Sequence, residues 1–374
     1  MRHVLITNDF WPKVGGIQSY LGEIYQRLDP ATFMVVTTTQ VGALDFDRNF
    51  GAPIVRLGHQ LLPTPMTRNA MREAIAGFNP DLVVYDPIVP IGALGATLGL
   101  PYALIAHGAE VRVPAYLPGL RALLRQSIRH SIGVIAAGGY PAREVCRLVP
   151  DASVEIVPPG IDAKRFGPAT PTQREQLRQR WMLDPNQDLI LFVSRLVPRK
   201  GADTLLRAMG KLGFGAKIEA HIVGDGRDRG RLERLAQSVA GSVVFHGRLP
   251  ESDMVELYQA ADLFVFPARN RWFGVEQEGF GIVILEAQAC GTPVIIGDSG
   301  GTSEALATAG GELLGRGRFH SVEDALAARL ADHKCQSAPR EAISAEVRAR
   351  FDYDQLSKAY EVALAKLMDA RPRR

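Results

Sequence analysis

The sequence has little cysteine, no marked excess of either charge and no apolar run fit to cross a membrane unbroken. Its three cysteines, Cys146, Cys290 and Cys335, stand far apart without a CxxC pair or a Cys/His cluster. That excludes a disulfide framework or a structural zinc site as the organising device and fits a reducing cytosol. Lys and Arg number 43 against 40 Asp and Glu, a net +3, so the strongly basic field of a nucleic-acid binder is missing and no nucleic-acid partner is expected. The opening MRHVLITNDF meets Asn8 and Asp9 too soon for a secretory apolar region, and no secretion signal is expected from it. The stretch from Pro87 to Ala106 carries no charge. Pro90 and Pro101 divide it into a helix rich in small residues and a short strand, PYALIA, which disfavours a membrane span. No internal repeat, low-complexity tract or sustained heptad is visible, and neither GxGxxG nor a Walker lysine follows the first strand; the missing GxGxxG disfavours a dehydrogenase.

What is present is a chain of 374 residues, 46% hydrophobic and 22% charged, long enough for about two domains with full cores. The 37 glycines, about 10% against a typical ~7%, imply tight turns and close backbone approaches. Short apolar runs at 3–7, 33–39, 81–85, 102–106, 133–138 and 154–160 alternate with amphipathic stretches. After a polar Arg/Gln-rich stretch at 170–188 the rhythm restarts at 188–194, 217–224, 242–247, 262–267 and 292–297. Strand–helix alternation of this kind predicts two α/β, doubly wound, Rossmann-like domains. Residues 339–370 are helical in pattern but detached from any strand, with Val362, Leu364, Leu367 and Met368 as the expected apolar stripe.

Three segments sit where open α/β sheets bind ligands, just past strand ends. Gly15 and Gly16 in PKVGGI open a helix spanning roughly 16–28; a tight βα turn and an anion cradle at a helix N-terminus both remain open there. In SRLVPRKG, Arg195 offers a fork of donors and Lys200 a point charge, a pair suited to a diphosphate, against the alternative of a solvated basic turn. In EGFGIVILE, Gly279 and Gly281 make a loop before a helix beginning near Gly281. Glu278 then precedes the helix and Glu286 lies about a turn and a half inside it, with free backbone N–H groups between them.

These segments, GGIQSY, SRLVPRKG, VGDGRDR and EGFGIVILEAQACGTPVI, together with the closing helix, resemble glycosyltransferase family 4, the retaining GT-B glycosyltransferases. Within that family the chain is most similar to the actinobacterial GDP-mannose-dependent phosphatidylinositol-mannoside mannosyltransferases, partly through the insert ARNRWFGVEQEGFG. The resemblance implies a GT-B architecture in which residues 1–168 with 350–374 bind the acceptor, residues 169–349 bind the nucleotide-sugar donor, and the last helix returns to the first domain. It implies that Arg195 and Lys200, with the backbone of Gly15 and Gly16, hold the diphosphate. Glu278 then takes sugar hydroxyls, Glu286 the ribose, and Gly247 and Arg248 edge the base. The backbone of Gly279, Phe280, Gly281, Ile282 and Val283 lines the sugar and phosphate. His107 in AHGAE matches the family's active-site histidine near the sugar 6-hydroxyl, so that His107, Arg195, Lys200 and Glu278 form the expected catalytic set. The chain departs from many members at Pro159, where they carry asparagine in the V-P-N-G-x-D element.

On the acceptor side, Asp9, Phe10 and His107 are expected to meet the acceptor, with Phe10 or Trp11 stacking on a sugar ring. Arg121, Arg125 and Arg129, with Arg112 before them, form a basic stripe over 112–130, opposed by Leu117, Leu120, Leu123, Leu124 and Ile128. This is the pattern of a helix lying on an anionic membrane, or of an ordinary surface helix. His59–Arg72 is a second candidate membrane-facing loop. Asp45-Phe46-Asp47 and Asp352-Tyr353-Asp354 spell DxD, but neither follows a convincing strand of the donor domain, and no metal or other cofactor is expected. No carboxylate stands out as a nucleophile, so a front-side mechanism is preferred over double displacement. The expected partners are GDP-mannose and a phosphatidylinositol-mannoside lipid, with the protein cytoplasmic and peripheral at the cytoplasmic membrane. A UDP-sugar with a soluble acceptor, a nucleotide-sugar epimerase, and a non-catalytic nucleotide- or lipid-binding module are the competing readings.

Overall fold

In the computed structural model, all residues are described except 59, 213–216, 240, 315–320, 333–338 and 371–374, so Cys335 and the His59 end of the 59–72 loop lie outside the described residues. The chain forms two compact units, Met1–Gly160 with Tyr353–Arg374, and Ile161–Asp352.

The first unit is built on β1 (His3–Thr7), β2 (Phe33–Thr37), β3 (Ile54–Arg56), β4 (Leu82–Asp86), β5 (Tyr102–Ala106), β6 (Gly133–Ala136) and β7 (Val154–Ile156). These pair in parallel in the order β3-β2-β1-β4-β5-β6-β7. All five residues of β1, β4 and β5 are buried, as expected of central strands covered on both faces. Alternation divides them between two cores: Val4, Ile6 and Tyr85 join one, Leu5, Val84 and Ile105 the other. The closing helix Tyr353–Asp369 packs in the second of these, where the Tyr25 and Tyr360 hydroxyls bond at 2.8 Å. The expected stripe is partly corrected: Leu364 and Leu367 are buried, but Val362 is 54% exposed, and Leu356, Tyr360 and Ala363 face inward instead.

The second unit holds β8 (Asp188–Val193), β9 (Ile218–Val223), β10 (Ser242–Gly247), β11 (Leu263–Phe266), β12 (Val294–Gly297) and β13 (Gly311–Leu314), all parallel, in the order β10-β9-β8-β11-β12-β13. The polar stretch after residue 169 is helical at its start. Pro171–Arg180 is a helix opened by a Thr170–Gln173 capping box, and its Arg174 and Arg178 both pair with Asp262. The units divide at 160/161 and 352/353 rather than at 168/169 and 349/350. Ile161 donates its N–H to the Phe351 carbonyl, and Phe166 lies edge-on to Tyr258 in the second core. The predicted helix over 339–370 is two helices, Arg340–Phe351 and Tyr353–Asp369, one in each unit.

Both sheets change direction of winding beside their first strand, at β1/β4 and at β8/β11. The carboxyl ends of such strands are where a doubly wound sheet leaves a crevice for a ligand.

Candidate active site

In the first unit the switch point gathers polar groups from three strand ends. Thr7 and Asp86 are in register across β1 and β4, and the Thr7 hydroxyl donates to Asp86 Oδ2 at 2.8 Å. The other Asp86 oxygen bonds His107 Nε2 at 2.5 Å, with the carboxylate fully buried. Burial alone would lower the imidazole's pKa; the Asp86 charge and hydrogen bond, with Glu110 and Asp9 beyond, outweigh it and hold His107 above its ordinary value. Glu110 also accepts the backbone N–H groups of His107 and Gly108, which fixes the turn after β5, and Tyr20 lies edge-on to the imidazole at 5.6 Å. Asp9, whose N–H is bonded to the Thr7 hydroxyl, takes Lys13 Nζ at 2.5 Å and Gln18 Nε2 at 2.6 Å on one carboxylate oxygen. Gly15 and Gly16 start the helix Gly16–Tyr25 with no side-chain cap, leaving the first-turn N–H groups without intrahelical acceptors.

The aromatic expectation at this loop is corrected. Phe10 is fully buried, edge-on to Tyr25 and Phe50, and Trp11 lies over Gly22, where an added Cβ would meet the indole at 2.3 Å. The Phe10 ring is not presented to an acceptor, because the apolar floor under the helix claims it, whereas Trp11 stays half-buried.

In the second unit the loops after β8 and β11 meet around one ion pair. Lys200 Nζ lies 2.7 Å from Glu278 Oε2, each side chain nearly buried, with Arg199 Nε at 3.6 Å from the same oxygen. Arg199 is itself 3.5 Å from Glu276. Burial would push the Glu278 carboxyl up; Lys200, Arg199 and Arg195 together reverse this and hold it below the usual carboxylate range. The Lys200 ammonium is lowered, first by burial and then by Arg199 and Arg195, in spite of Glu278. Three cations therefore crowd one buried carboxylate and a more distant Glu276, a charge balance that an added anion relieves. Arg195 is exposed, with no side-chain hydrogen bond among the described residues.

Backbone sterics shape these loops. Gly201 has φ +82°, and a Cβ there would meet the Pro267 carbonyl oxygen at 2.0 Å. Gly281, at φ +93°, is the N-cap of the helix Ile282–Ala289, whose first N–H groups, on Ile282 and Val283, point out of the helix end beside Glu278 and Gly279. The Phe280 ring turns away to Phe351 in the core, at 6.0 Å, which leaves only its backbone for the site. Ser299, after β12, accepts the Glu278 N–H at 3.1 Å and bonds Asn270 at 2.9 Å. Inside the helix, Glu286 accepts from the Tyr258 hydroxyl at 2.8 Å. Burial pushes its carboxyl up to about 7, with Tyr258 and Arg165 opposing and Glu251 adding to the rise. Gly247 ends β10 with its carbonyl bonded to the Gly224 N–H, and Arg248 follows it, exposed.

The sequence reading thus placed Arg195, Lys200, Glu278, Gly279, Gly281, Ile282, Val283 and Glu286 on loops and a helix end that the second unit assembles, and His107 and Asp9 within one network of the first. It missed Asp86, Arg199, Glu276, Ser299 and Tyr258. A carboxylate closing DLVVYD, at the end of a central strand, was a readable signal for Asp86; Tyr258 offered none.

The predicted basic helix is also divided. Ala109–Arg112 and Pro118–His130 are separate helices, and Arg112 pairs with Glu144 at 2.9 Å instead of joining the stripe. Leu124 and Ile128 enter the core, whereas Leu117 (56%) and Leu120 (41%) stay exposed beside Arg121. Among the described residues no helix is long and apolar enough to cross a membrane. The DxD carboxylates are engaged elsewhere: Asp47 with Arg56 at 2.7 Å and Asp354 with Arg27 at 2.7 Å.

Comparison with known proteins bears on what such a site serves. Residues 14–165 match the family described as Glycosyltransferase Family 4, and residues 173–346 that described as Glycosyl transferases group 1. The chain is 36% identical over 386 residues to a GDP-mannose-dependent monoacylated alpha-(1-6)-phosphatidylinositol monomannoside mannosyltransferase of Corynebacterium glutamicum, covering 100% of this chain and 99% of that one. It is 37% identical over 374 residues to a GDP-mannose-dependent alpha-(1-6)-phosphatidylinositol monomannoside mannosyltransferase of Mycobacterium tuberculosis, covering 95% and 96%. Among solved structures, Anabaena HepE in complex with UDP superposes with a TM-score of 0.80 at 19% identity, over 98% of this chain and 100% of that one. The sucrose-phosphate synthase of Thermosynechococcus elongatus does so with 0.80 at 20%, over 99% and 100%. These two share the GT-B fold. The chain, a glycosyltransferase by this descent, belongs to glycosyltransferase family 4.

Proposed function

We propose that this enzyme transfers mannose from GDP-mannose, with retention, to a phosphatidylinositol mannoside at the cytoplasmic membrane. The observation that carries the reading is the cationic nest of Lys200, Arg199 and Arg195 around Glu278, in a chain related over its whole length to proteins named for that donor and acceptor. A diphosphate supplies the negative charge the nest lacks, and its departure is eased where fixed cations already face the developing charge. Glu278, kept ionised, accepts sugar hydroxyls; Glu286 accepts ribose hydroxyls once its proton leaves; the backbone at Gly247 and the Arg248 side chain edge the base. In the first unit, His107 orients the sugar 6-hydroxyl, with Asp86 fixing the imidazole and Asp9 accepting from the acceptor.

In the proposed front-side step, the bond from the anomeric carbon to the phosphate oxygen breaks and its electron pair leaves with the diphosphate. The acceptor oxygen bonds the same face of that carbon, and its proton passes to the departing diphosphate oxygen. Lys200, Arg199 and Arg195 provide the charge neutralisation that a divalent ion would otherwise supply, and the engagement of Asp47 and Asp354 in ion pairs supports a reaction without metal. A glycosyl adduct trapped on a side chain would overturn the mechanism.

The enzyme works peripherally on the membrane, the exposed Leu117 and Leu120 with Arg121, Arg125 and Arg129 meeting anionic lipid; such binding fades as salt rises. Calorimetry with GDP-mannose, UDP-glucose, UDP-N-acetylglucosamine and GDP, followed by transfer assays on the best binder, tests the donor. GDP-mannose and GDP binding, with transfer to a phosphatidylinositol mannoside, is expected; tight UDP-sugar binding with no response to GDP-mannose would sink the reading.

A further inference from the structure

Five residues before Glu278 the chain makes a turn whose conformation is costly and whose product is two unpacked aromatic rings. Trp272 is 67% exposed and Phe273 107%, and both have left-handed backbone, φ 52° and 55°, a state that is strained for non-glycine residues. The turn is clamped at its base. Arg271 and Glu276 exchange backbone hydrogen bonds of 2.9 and 3.2 Å, their side chains pair at 3.0 Å, and Arg199 also pairs with Glu276, at 3.5 Å. The N–H groups of Gly274 and Val275 bond back to Arg271 and Trp272. Strain is thus maintained to display a ring pair that the fold itself does not use.

We propose that Trp272 and Phe273 form a tip that enters the headgroup region of an anionic lipid surface and seats the donor-binding unit on it. The chemistry of the tip selects this occupant over a sugar ring. Hydroxyls need hydrogen-bonding groups beside the aromatic face, and here Arg271 and Glu276 are bonded to one another while Phe273 stands clear on every side. A lipid interface needs the opposite: projecting aromatic surface on backbone whose polar groups are satisfied internally. The Arg271 guanidinium, over the Trp272 ring at 5.3 Å, adds a cation at headgroup level. At the base of the turn Arg271 and Arg199 stand against Glu276, one positive charge in excess and complementary to anionic lipid.

Position argues the same way, and this step rests on the proposed lipid acceptor. Six residues span at most roughly 22 Å, so the backbone of the tip stays within that distance of the backbone of Glu278, the residue proposed to hold the donor sugar. An acceptor hydroxyl that reaches this sugar from a lipid headgroup brings the bilayer surface to the tip.

The test uses the full chain and phosphatidylcholine vesicles with and without phosphatidylinositol, brominated on the acyl chains. Trp11 and Trp181 are half-buried, so quenching by brominated lipid that disappears in Trp272→Phe reports Trp272 in the interface. A Trp272→Gly/Phe273→Gly variant suits the left-handed backbone and keeps the fold. It is expected to hold or raise Tm and to bind GDP as before. Its affinity for phosphatidylinositol vesicles falls about tenfold, a loss of about 1.4 kcal/mol. Quenching that survives Trp272→Phe, or vesicle affinity unchanged in the glycine variant, overturns the tip. So does a glycine variant that binds vesicles normally but loses a soluble mannoside, which would make the rings a sugar platform. Failure to bind GDP-mannose would instead defeat the donor assignment while leaving the quenching result to stand on its own.

Discussion

Glu286 carries its proton close to neutrality, and the reason is local: the side chain is enclosed in the helix Ile282–Ala289 with one hydroxyl donor, Tyr258, and, among the described residues, no cation in contact. Ribose hydroxyls donate hydrogen bonds and favour the ionised form, so on the proposed reading nucleotide binding drives the proton off. With the free carboxyl at about 7 and the bound one lower, affinity for GDP rises with pH up to neutrality and levels off above it. Calorimetry at pH 6.5 in buffers of different ionisation enthalpy is expected to show proton release, and Glu286→Gln to abolish both the release and the slope while weakening GDP about tenfold or more. His107 shifts in the opposite sense. Its folded pKa lies above the unfolded value because Asp86 favours imidazolium. The pair therefore stabilises the fold fully below pH 6.5, and that contribution is lost as pH rises through the raised pKa. In Asp86→Asn the histidine resonances should titrate at lower pH than in the parent, the stability difference between the two proteins should shrink as pH rises from 6 to 9, and turnover should fall about a hundredfold. An unmoved titration would mean that Asp86 only packs.

At the scale of elements, the strands were legible because buried parallel strands are continuous aliphatic runs, as in HVLIT and DLILFV. The two that escaped, β3 (IVR) and β13 (GELL), are edge strands with half-exposed residues and no such run. The break at Asp352 escaped as well, because the helical pattern continues on both sides while tertiary contacts, the Ile161–Phe351 hydrogen bond among them, decide where the chain changes unit. At the site, glycines and charges close in sequence could be read, whereas partners from distant strands, Ser299 for Glu278 and Tyr258 for Glu286, belong to the fold. Gly201 joins the two kinds of information. It starts the helix Ala202–Gly210 at φ +82° and faces the Pro267 carbonyl across the β8/β11 switch. Gly201→Ala is expected to cost about 1–3 kcal/mol from backbone strain alone, with more from the clash, and to weaken GDP by displacing Lys200. A lowered Tm accompanied by unchanged GDP affinity would show that the loop's path does not position the lysine.

At the scale of the molecule, the last helix is sequence-distant but structurally part of the first unit. Tyr360, Leu364 and Leu367 are at most 2% exposed, in the core that also holds Tyr25, Phe33 and Val84. Arg27 reaches from the first helix to Asp354 at 2.7 Å, and an added Cβ on Gly133 would strike Leu367 at 2.5 Å. The second unit closes its own core without this helix. The two units should therefore respond differently to damage at the tail. Leu364→Ala removes a fully buried side chain and is expected to cost the first unit about 2–5 kcal/mol, and removal of 353–374 should unfold that unit. Because Lys200, Glu278 and Glu286 all lie between Ile161 and Asp352, GDP binding should persist in Leu364→Ala with near-parental affinity while transfer is lost on warming, as the first unit melts first. Calorimetric unfolding with and without GDP checks this: in the variant an early transition that GDP does not move should separate from a later one that GDP raises. A single transition, shifted as a whole by both the substitution and the nucleotide, would show that the units fold as one and that the donor site depends on the tail.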